Sequence, residues 1–349
     1  LSFRAAYSLG FRAPNLVQTS TPSFSRFSNF QEDWAHCTFV QQSSGASCLD
    51  FAVTSVISGN PDLEPETSRN ISAGIVLKPL DGWVFTADYW SIELNGTVGT
   101  IPRNDQIAID EFLRRTGQGF NPNVEREDPD SDRVADIEAY NIANGTSIEP
   151  FGDILFVNET FLNLQTRRTA GFDFFGRYET PRTKYGRFKV SVNAALLTKY
   201  EQDPFDEVLP LLDDPIGSET IDPSSVGDLI QVESRPKWRG SANFRWNYNA
   251  NVGVGMNARY VGRVYDPDVT ATLDDGSVID FEVGRWYRLD VYADYSFRKS
   301  GLLGGTRIRV GINNLTNNEP PLYDNSAGYS GRLHSVTPRY FYFDVRKRF

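Results

Sequence analysis

The feature that most constrains this chain is a long stretch in which apolar and polar side chains alternate without a break. From Tyr287 to Arg298, every second residue is apolar or aromatic, and the residues between them are nearly all polar or charged. A β-strand places these two sets on opposite faces. Strands in soluble proteins usually have roughly five or six residues, so this stretch predicts a strand about twice that length.

The same alternation recurs along the chain and predicts ten long strands. They cover approximately residues 1–9, 71–77, 83–90, 170–178, 188–196, 238–246, 252–260, 287–298, 307–313 and 340–349. No helical periodicity of comparable strength competes with them. Only Asn104–Arg115 shows a loose helical pattern, which indicates a short helix within a loop.

The connections between these strands alternate between short and long. Short links occur near Pro79, Pro181, Asn249 and Lys299, whereas the long links span roughly residues 10–67, 95–168, 199–235, 262–284 and 315–337. Such sorting predicts an up-and-down antiparallel sheet with two unlike ends, as in membrane β-barrels with short inner turns and long outer loops. Lipid would then contact the apolar face, and a lumen would face the charges.

The alternative is a soluble barrel or sandwich whose apolar face points inward. It predicts the same alternation, but with shorter strands and without sorted loops. No stretch of the chain approaches the roughly 18 apolar residues that a membrane helix needs, so membrane insertion here would have to use strands.

Net charge and motif content argue against two functional classes, nucleic-acid-binding proteins and enzymes. The formal net charge is −10, which argues against nucleic-acid binding because phosphate contacts need a basic surface. An enzyme is also not expected: the two histidines, His36 and His334, lie in predicted loops, and the GYSGR stretch Gly328–Arg332 lacks the spacing of a nucleophile elbow.

The only two cysteines, Cys37 and Cys48, lie close together in a polar, serine-rich loop. This arrangement predicts a disulfide formed in an oxidising compartment, with two unrelated buried thiols as the alternative. Neither a CxxC pair nor a histidine pair is present, which argues against zinc.

Two acidic loops raise the question of metal binding. The segment Glu201–Glu233 has ten acidic residues and no lysine or arginine; a solvated outer loop is the simplest interpretation, and a surface that attracts cations or divalent-bridged lipopolysaccharide is the alternative. Asp128, Asp130 and Asp132 stand at alternate positions, as in calcium loops, and predict a weak structural Ca²⁺ site without the turn glycine and distal glutamate of an EF-hand. No other cofactor is expected.

Several motifs resemble those of one family. They are YSLGFRAPN at Tyr7–Asn15, GNPDLEPETSRNISAG at Gly59–Gly74, VGINNLTNNEPPLYDN at Val310–Asn325, GR at Gly331–Arg332, and a terminal strand that ends at Phe349. In this order they resemble the barrel of TonB-dependent outer-membrane receptors, from an FRAP-like strand end, through an NPxLxPE segment, to the penultimate strand. The usual phenylalanine of the NLF motif is replaced here by Thr316.

The resemblance implies a fold and a location. The fold would be all-β, a transmembrane antiparallel up-and-down β-barrel in the outer membrane of a Gram-negative bacterium. Residues 1–349 would form about ten C-terminal strands of a 22-stranded barrel, with the plug, the TonB box and the first strands upstream. A complete ten-stranded barrel is the alternative architecture.

The resemblance also implies active uptake of a scarce solute, such as a glycan, a siderophore, cobalamin or a peptide. Implied partners are TonB through the plug, the barrel-assembly machinery through Phe349, the lipid bilayer with lipopolysaccharide, and a surface lipoprotein. A passive porin or autotransporter-type barrel, and a soluble lectin-like β-protein, are the alternatives.

Aromatic and basic residues on the predicted outer loops are candidates for solute contact, because aromatic rings stack on sugars and other organic solutes. The candidates are Phe27, Phe30 and Trp34 in the first long loop and Tyr323, Tyr329 and Arg332 in the last. Packing of these long loops against themselves is the alternative.

Overall fold

Ten long strands form one antiparallel sheet in the computed structural model, which describes residues 1–20, 24–41, 50–214, 226–273, 278–297, 301–324 and 326–348. The strands are β1 (Ser2–Arg12), β2 (Phe24–Glu32), β3 (Asp50–Ser58), β4 (Glu66–Leu77), β5 (Trp83–Asn95), β6 (Val98–Gly99), β7 (Val124–Arg126), β8 (Ile154–Thr160), β9 (Leu162–Asn163), β10 (Arg167–Glu179), β11 (Arg187–Gln202), β12 (Gly227–Asp228), β13 (Trp238–Asn247), β14 (Val252–Val261), β15 (Val264–Thr272), β16 (Val278–Val283), β17 (Trp286–Ser296), β18 (Thr306–Asn313) and β19 (Tyr340–Lys347). The helices are α1 (Leu16–Thr19), α2 (Trp34–His36), a π-helical turn (Cys37–Gln41), α3 (Arg103–Arg115), α4 (Ser131–Asn144) and α5 (Leu209–Leu212).

The main sheet follows chain order, with neighbours β1-β4-β5-β10-β11-β13-β14-β17-β18-β19, all antiparallel. These are the ten strands that the alternation predicts, and the up-and-down topology is confirmed. Within the described residues, β1 and β19 are the two edges and do not pair with each other. The sheet is therefore open. We call this ten-stranded sheet the wall.

The apolar face of the sheet is exposed. Phe343 is 66% exposed and Val310 51%, and Val291 on β17, which has a neighbour on each side, is only half-buried. The hydrophobic clusters found among the described residues all lie in the connections or at the outer strand ends, not on this face. A continuous apolar face of this extent marks a membrane or protein contact surface. Among the described residues no second sheet packs on this face, as the alternative of a soluble sandwich would require.

The helices do not provide a membrane span. Among the residues that the structure describes, no helix is both long and apolar enough to cross a bilayer.

The polar face carries ion pairs that reach across strands. Arg4 on β1 and Asp88 on β5 flank Gly74 of β4 in the sheet register, and Arg4 Nε donates to Asp88 Oδ1 at 2.7 Å. A Cβ atom at Gly74 would lie 1.8 Å from that carboxylate oxygen. Glycine at this position therefore permits the two charged groups to meet over the middle strand.

Asp294 on β17 is the centre of a second polar group on the same face. Its carboxylate accepts hydrogen bonds from Arg245 Nη1 of β13 at 2.6 Å and from Arg307 Nη2 of β18 at 2.9 Å. The Arg309 guanidinium stands 3.6 Å away, and only 4% of the Asp294 side chain is exposed. The Asp294 carboxylate thus contacts three arginines, one on β13 and two on β18.

Replacing Asp294 with asparagine is expected to lower the free energy of unfolding by about 1–3 kcal/mol, because hydrogen bonds between charged groups are lost and three arginines lose their counter-charge. The thermal midpoint in detergent measures the effect. Asp344→Asn is the matched control, since Asp344 is an exposed aspartate on the polar face of β19. An equal shift in both variants would argue against this role for Asp294.

The long outer connections fold into a structure of their own. Strands β2, β3, β8 and β7 form a mixed four-stranded sheet in which β3 and β8 are parallel. Helix α3 packs against β7 and β8, α2 packs against α3, and α4 packs against the π-helical turn. We call residues 24–41, 50–58 and 101–160 the loop cap. The short helix predicted at Asn104–Arg115 is confirmed as α3, whereas no local pattern indicates the small sheet or α4.

Helix α4 explains one of the acidic motifs. Asp130 is its N-cap, and the Asp130 carboxylate accepts the Arg133 backbone N–H at 2.8 Å. Gly145 ends the helix in the left-handed region, with φ of 66°. Over the described ranges, no group of three or more His, Cys, Asp or Glu side chains is placed to hold a metal ion. The structure thus gives Asp130 a capping role and offers no support for calcium at Asp128, Asp130 and Asp132.

Two further predictions concern residues beyond the described ranges. Cys37 begins the π-helical turn, but Cys48 lies outside the described residues, so the disulfide between them stays a prediction. Phe349 lies outside them as well. In the acidic segment, Asp203 and Asp214 form ion pairs with Arg168 and Arg115, and residues 215–225 are not described.

Candidate functional site

A cavity of about 640 Å³ lies against the polar face of the sheet, towards the outer ends of β13, β14 and β17. Its wall comes from β10, β11, β13 and β14, and residues of the last loop close one side of it. This volume is in the range of sites that hold small organic ligands.

Three arginines line this cavity. Arg239 lies on β13 and Arg259 on β14, and the register pairs Ser241 with Arg259, so the two arginines are two residues apart on adjacent strands. The last loop adds Arg332. All three side chains are exposed, and none has an ion-pair partner among the described residues. Asp173 is the only acidic residue in the described lining. The cavity is therefore cationic in a chain of net charge −10.

Trp286 and His334 close the outer side of the cavity. Trp286 is 3% exposed and His334 7%, and their rings meet edge to face with centroids 5.8 Å apart. A backbone turn places His334, because Ser330 O accepts the N–H groups of Leu333 at 3.2 Å and His334 at 2.9 Å. Burial lowers the pKa of His334, which favours the neutral imidazole at neutral pH.

A small apolar cluster fixes Trp286 and the turn. Trp286 packs with Leu333 and with valines of the adjoining strand ends, and Tyr323 packs against the same group; the valines are Val261, Val264 and Val283. The last loop is thereby attached to the wall at the position of the cavity.

The predicted solute-contact residues fall into two groups. In the last loop, Arg332 lines the cavity, Tyr323 packs against the cluster that holds Trp286, and Tyr329 is half-buried in the same loop. In the first loop, Trp34 packs against two hydrophobic clusters of the loop cap. The side chains of Phe27 and Phe30, on β2, lie outside the described residues.

Sequence reasoning missed four residues of this site. The alternation places Arg239 and Arg259 on the polar face, but only the strand register brings them together. Trp286 precedes the predicted strand, and the sequence shows His334 only as one of two loop histidines that indicate neither an enzyme site nor a zinc site. The available signal was the occurrence of arginines on the polar faces of adjacent predicted strands.

The loop cap has a buried ionic core. Arg126 donates from Nη1 to Asp33 Oδ2 at 2.7 Å and from Nε to Asp110 Oδ2 at 3.0 Å, and 5% of its side chain is exposed. Asp110 also accepts from Arg114 Nε at 3.1 Å. Phe151 contacts both guanidinium groups, at 4.5 Å for Arg114 and 4.7 Å for Arg126.

A second ion-pair group joins the cap to the acidic segment. Burial raises the pKa of Glu111, against the hydrogen bond from Arg115 that favours its ionised form. Arg115 donates to Glu111 at 2.8 Å and to Asp214 at 2.6 Å. Three long connections are thus tied together: β1–β4 through Asp33, β5–β10 through helix α3, and β11–β13 through Asp214.

Comparison with known proteins identifies the family. A profile described as "TonB dependent receptor-like, beta-barrel" matches residues 1–315. A search of curated proteins finds no match. Among solved structures, the siderophore receptor PirA from Acinetobacter baumannii is 12% identical with a TM-score of 0.55, and the match covers 98% of this chain and 38% of that one. A variant of the ferric enterobactin receptor PfeA from Pseudomonas aeruginosa is 14% identical with a TM-score of 0.54, over 98% of this chain and 37% of that one.

At these identities the likeness concerns the fold. The chain spans a little over a third of the length of these two receptors. Their barrels agree with the antiparallel ten-stranded wall found here, and the resemblance recognised in the sequence is confirmed. The chain belongs to the family of TonB-dependent receptors, within their β-barrel domain.

Proposed function

We propose that this chain forms the wall and outer loops of an outer-membrane receptor for the TonB-energised uptake of a scarce organic anion. Family membership supports the transport class, and the exposed apolar face supports contact with lipid. The observation that carries the choice of an anion is the set of three unpaired arginines, Arg239, Arg259 and Arg332, around one cavity.

Electrostatics favours this choice. A recess lined by charges of one sign concentrates ligands of the opposite sign. The guanidinium group also presents a rigid fork of donors that matches a carboxylate or phosphate in two parallel hydrogen bonds. The rest of the chain is acidic, so the cavity differs in sign from its surroundings and would select anions among the solutes that reach it.

The solute class includes more than one kind of molecule. The names of the two solved receptors refer to siderophores and to ferric enterobactin, and an iron complex with an anionic chelator belongs to the proposed class. An acidic oligosaccharide belongs to it as well. A neutral glycan has weaker support, because Trp34 of the aromatic first loop packs inside the loop cap.

The proposal also covers the partners implied by the family. TonB would act through a plug domain, and the barrel-assembly machinery would recognise the terminal strand with Phe349. The Cys37–Cys48 disulfide would brace the first outer loop, where lipopolysaccharide or a surface lipoprotein could be contacted. This chain would supply the solute-facing wall, and the protein is proposed to be a transporter without enzymatic activity.

Growth and uptake of a deletion strain test the function. The strain is complemented with the native receptor or with the Arg239→Gln/Arg259→Gln variant, and uptake of ferric citrate, an acidic oligosaccharide and a neutral maltooligosaccharide is measured. Loss of charged hydrogen bonds predicts roughly tenfold to hundredfold weaker uptake of the transported anion. Arg263→Gln is the control, because Arg263 pairs with Glu282 on the outer hairpin.

Two outcomes would contradict the proposal. Uptake that persists after collapse of the proton-motive force would indicate a passive porin. Unchanged anion uptake in the double arginine variant, with normal amounts of receptor in the membrane, would show that the cavity does not select the solute.

A further inference from the structure

We propose that Trp286 and His334 form a recognition element for an oxyanion group of the solute, a carboxylate or a phosphate, on the outer side of the arginine-lined cavity. The inference rests on the proposed function and adds to it two residues, a location and a ligand group. Both residues line the cavity together with Arg239, Arg259 and Arg332.

The first observation is that the polar atoms of both rings have no partner. Trp286 Nε1 and both ring nitrogens of His334 are buried, and none of them forms a hydrogen bond within the described chain. Buried polar groups in folded proteins are nearly always paired, and leaving one unpaired lowers stability. Three such atoms on two rings that contact each other and line one cavity are suited to a partner that comes from outside the wall.

A second tryptophan of the same sheet shows the usual arrangement. Trp246 Nε1 donates to the Tyr185 carbonyl oxygen at 2.7 Å, near the inner turns. The sheet thus satisfies the indole of Trp246 with its own backbone, and it leaves the indole of Trp286 unsatisfied beside three cationic groups.

The position of the pair fits a solute that has already met the arginines. An oxyanion between Arg239, Arg259 and Arg332 is attracted by their charges and retains oxygen lone pairs for further donors. The indole N–H and one imidazole N–H are donors of this kind. A neutral imidazole has one donor and one acceptor nitrogen, so His334 can engage either an ionised oxygen or a protonated one.

The turn that carries His334 is held by two backbone hydrogen bonds to Ser330 and by Leu333 in its apolar cluster. The strand that follows this turn begins only at Tyr340. Displacing the turn to admit a solute would therefore leave the register of the wall intact.

The test compares stability with affinity in the full-length receptor purified in detergent. Trp286→Phe and His334→Leu each remove unsatisfied polar atoms and keep an apolar ring or chain of similar size. Each variant is expected to raise the thermal midpoint and to weaken binding of citrate and of inorganic phosphate about tenfold, measured by titration calorimetry. The opposite directions of the two effects are the signature of a ligand site.

Trp246→Phe is the matched control, and it is expected to lower the midpoint and leave both affinities unchanged. A purely structural role for the pair predicts that citrate and phosphate bind to Trp286→Phe and His334→Leu as to the native receptor, and this result would overturn the inference. The thermal midpoint and the affinities are compared for each variant separately, so a folding defect in one variant leaves the other as a test of the inference.

Failure of the proposed function gives a different result. If Arg259→Gln weakens citrate binding while both ring variants bind normally, only the present inference is wrong. If the native receptor binds neither citrate nor phosphate, but binds maltohexaose, the anion cavity and the ring pair are both overturned.

Discussion

Arg126→Met is expected to unfold the loop cap while the ten-stranded sheet stays folded. Arg126 is the only cation that contacts both Asp33 and Asp110 within the described residues, and it is almost fully buried. Its removal leaves Asp33 as a buried carboxylate without a counter-charge. Breaking a buried pair in this way costs about 3–5 kcal/mol, which is comparable to the stability expected of a small packed unit.

Hydrogen exchange read by mass spectrometry would show the effect locally. Backbone amides of β7 and α3 should exchange much faster in Arg126→Met than in the native receptor, whereas the amides of β13, β14 and β17 should be unchanged. The physical reason is that Asp33 and Asp110 lie on connections that are far apart in sequence. Once their common cation is lost, the charges favour solvation of both segments.

Two further variants separate the buried charge from general damage. Arg263→Met removes an exposed arginine paired with Glu282, and a surface pair of this kind contributes at most about 1 kcal/mol. The double variant Asp33→Asn/Arg126→Met removes the buried carboxylate together with its cation, keeps the pair between Asp110 and Arg114, and should recover most of the protection. Normal exchange in Arg126→Met, or no recovery in the double variant, would show that the ion pairs do not hold the cap together.

The strands were predictable and the loop cap was not, for a physical reason. A wall strand is specified by its own residues, because each side chain faces one of two environments and the pattern repeats every second residue. The cap is specified by contacts over long sequence distances: Asp33 meets Arg126 93 positions later. No local pattern carries that information. The alternate spacing of Asp128, Asp130 and Asp132 likewise indicates a metal site, whereas in the structure Asp130 caps helix α4.

The site was predictable in part. Arg332 could be proposed because it is a basic residue on a predicted outer loop. Placing Arg239 beside Arg259 required knowledge of the register between β13 and β14, because a one-residue slip would move the side chains of one strand to the other face. Trp286 and His334 needed the tertiary structure, since their significance lies in missing hydrogen-bond partners and not in residue type.

The second large effect concerns the face that the alternation assigns to lipid. Val291 is the sixth of the eleven residues of β17, and its Cα partners are Met256 on β14 and Ile312 on β18. Val291→Arg is expected to lower the free energy of unfolding in lipid by about 2–4 kcal/mol, because a charge near the bilayer midplane of a barrel loses its hydration. Equilibrium unfolding in phospholipid vesicles and the heat-modifiable mobility of the folded barrel measure the loss.

The matched control places the same charge on the other face. Asn257 of β14 has Asp290 as its Cα partner on β17 and lies on the polar side of the sheet, next in sequence to Met256. Asn257→Arg should be nearly neutral, since the lumen is polar and an aspartate lies opposite. The contrast depends only on which medium each face contacts. If both arginines were tolerated equally, or if the native chain folded as a monomer in buffer without lipid or detergent, the apolar face would have to be covered by protein, and a transport role would lose its physical basis.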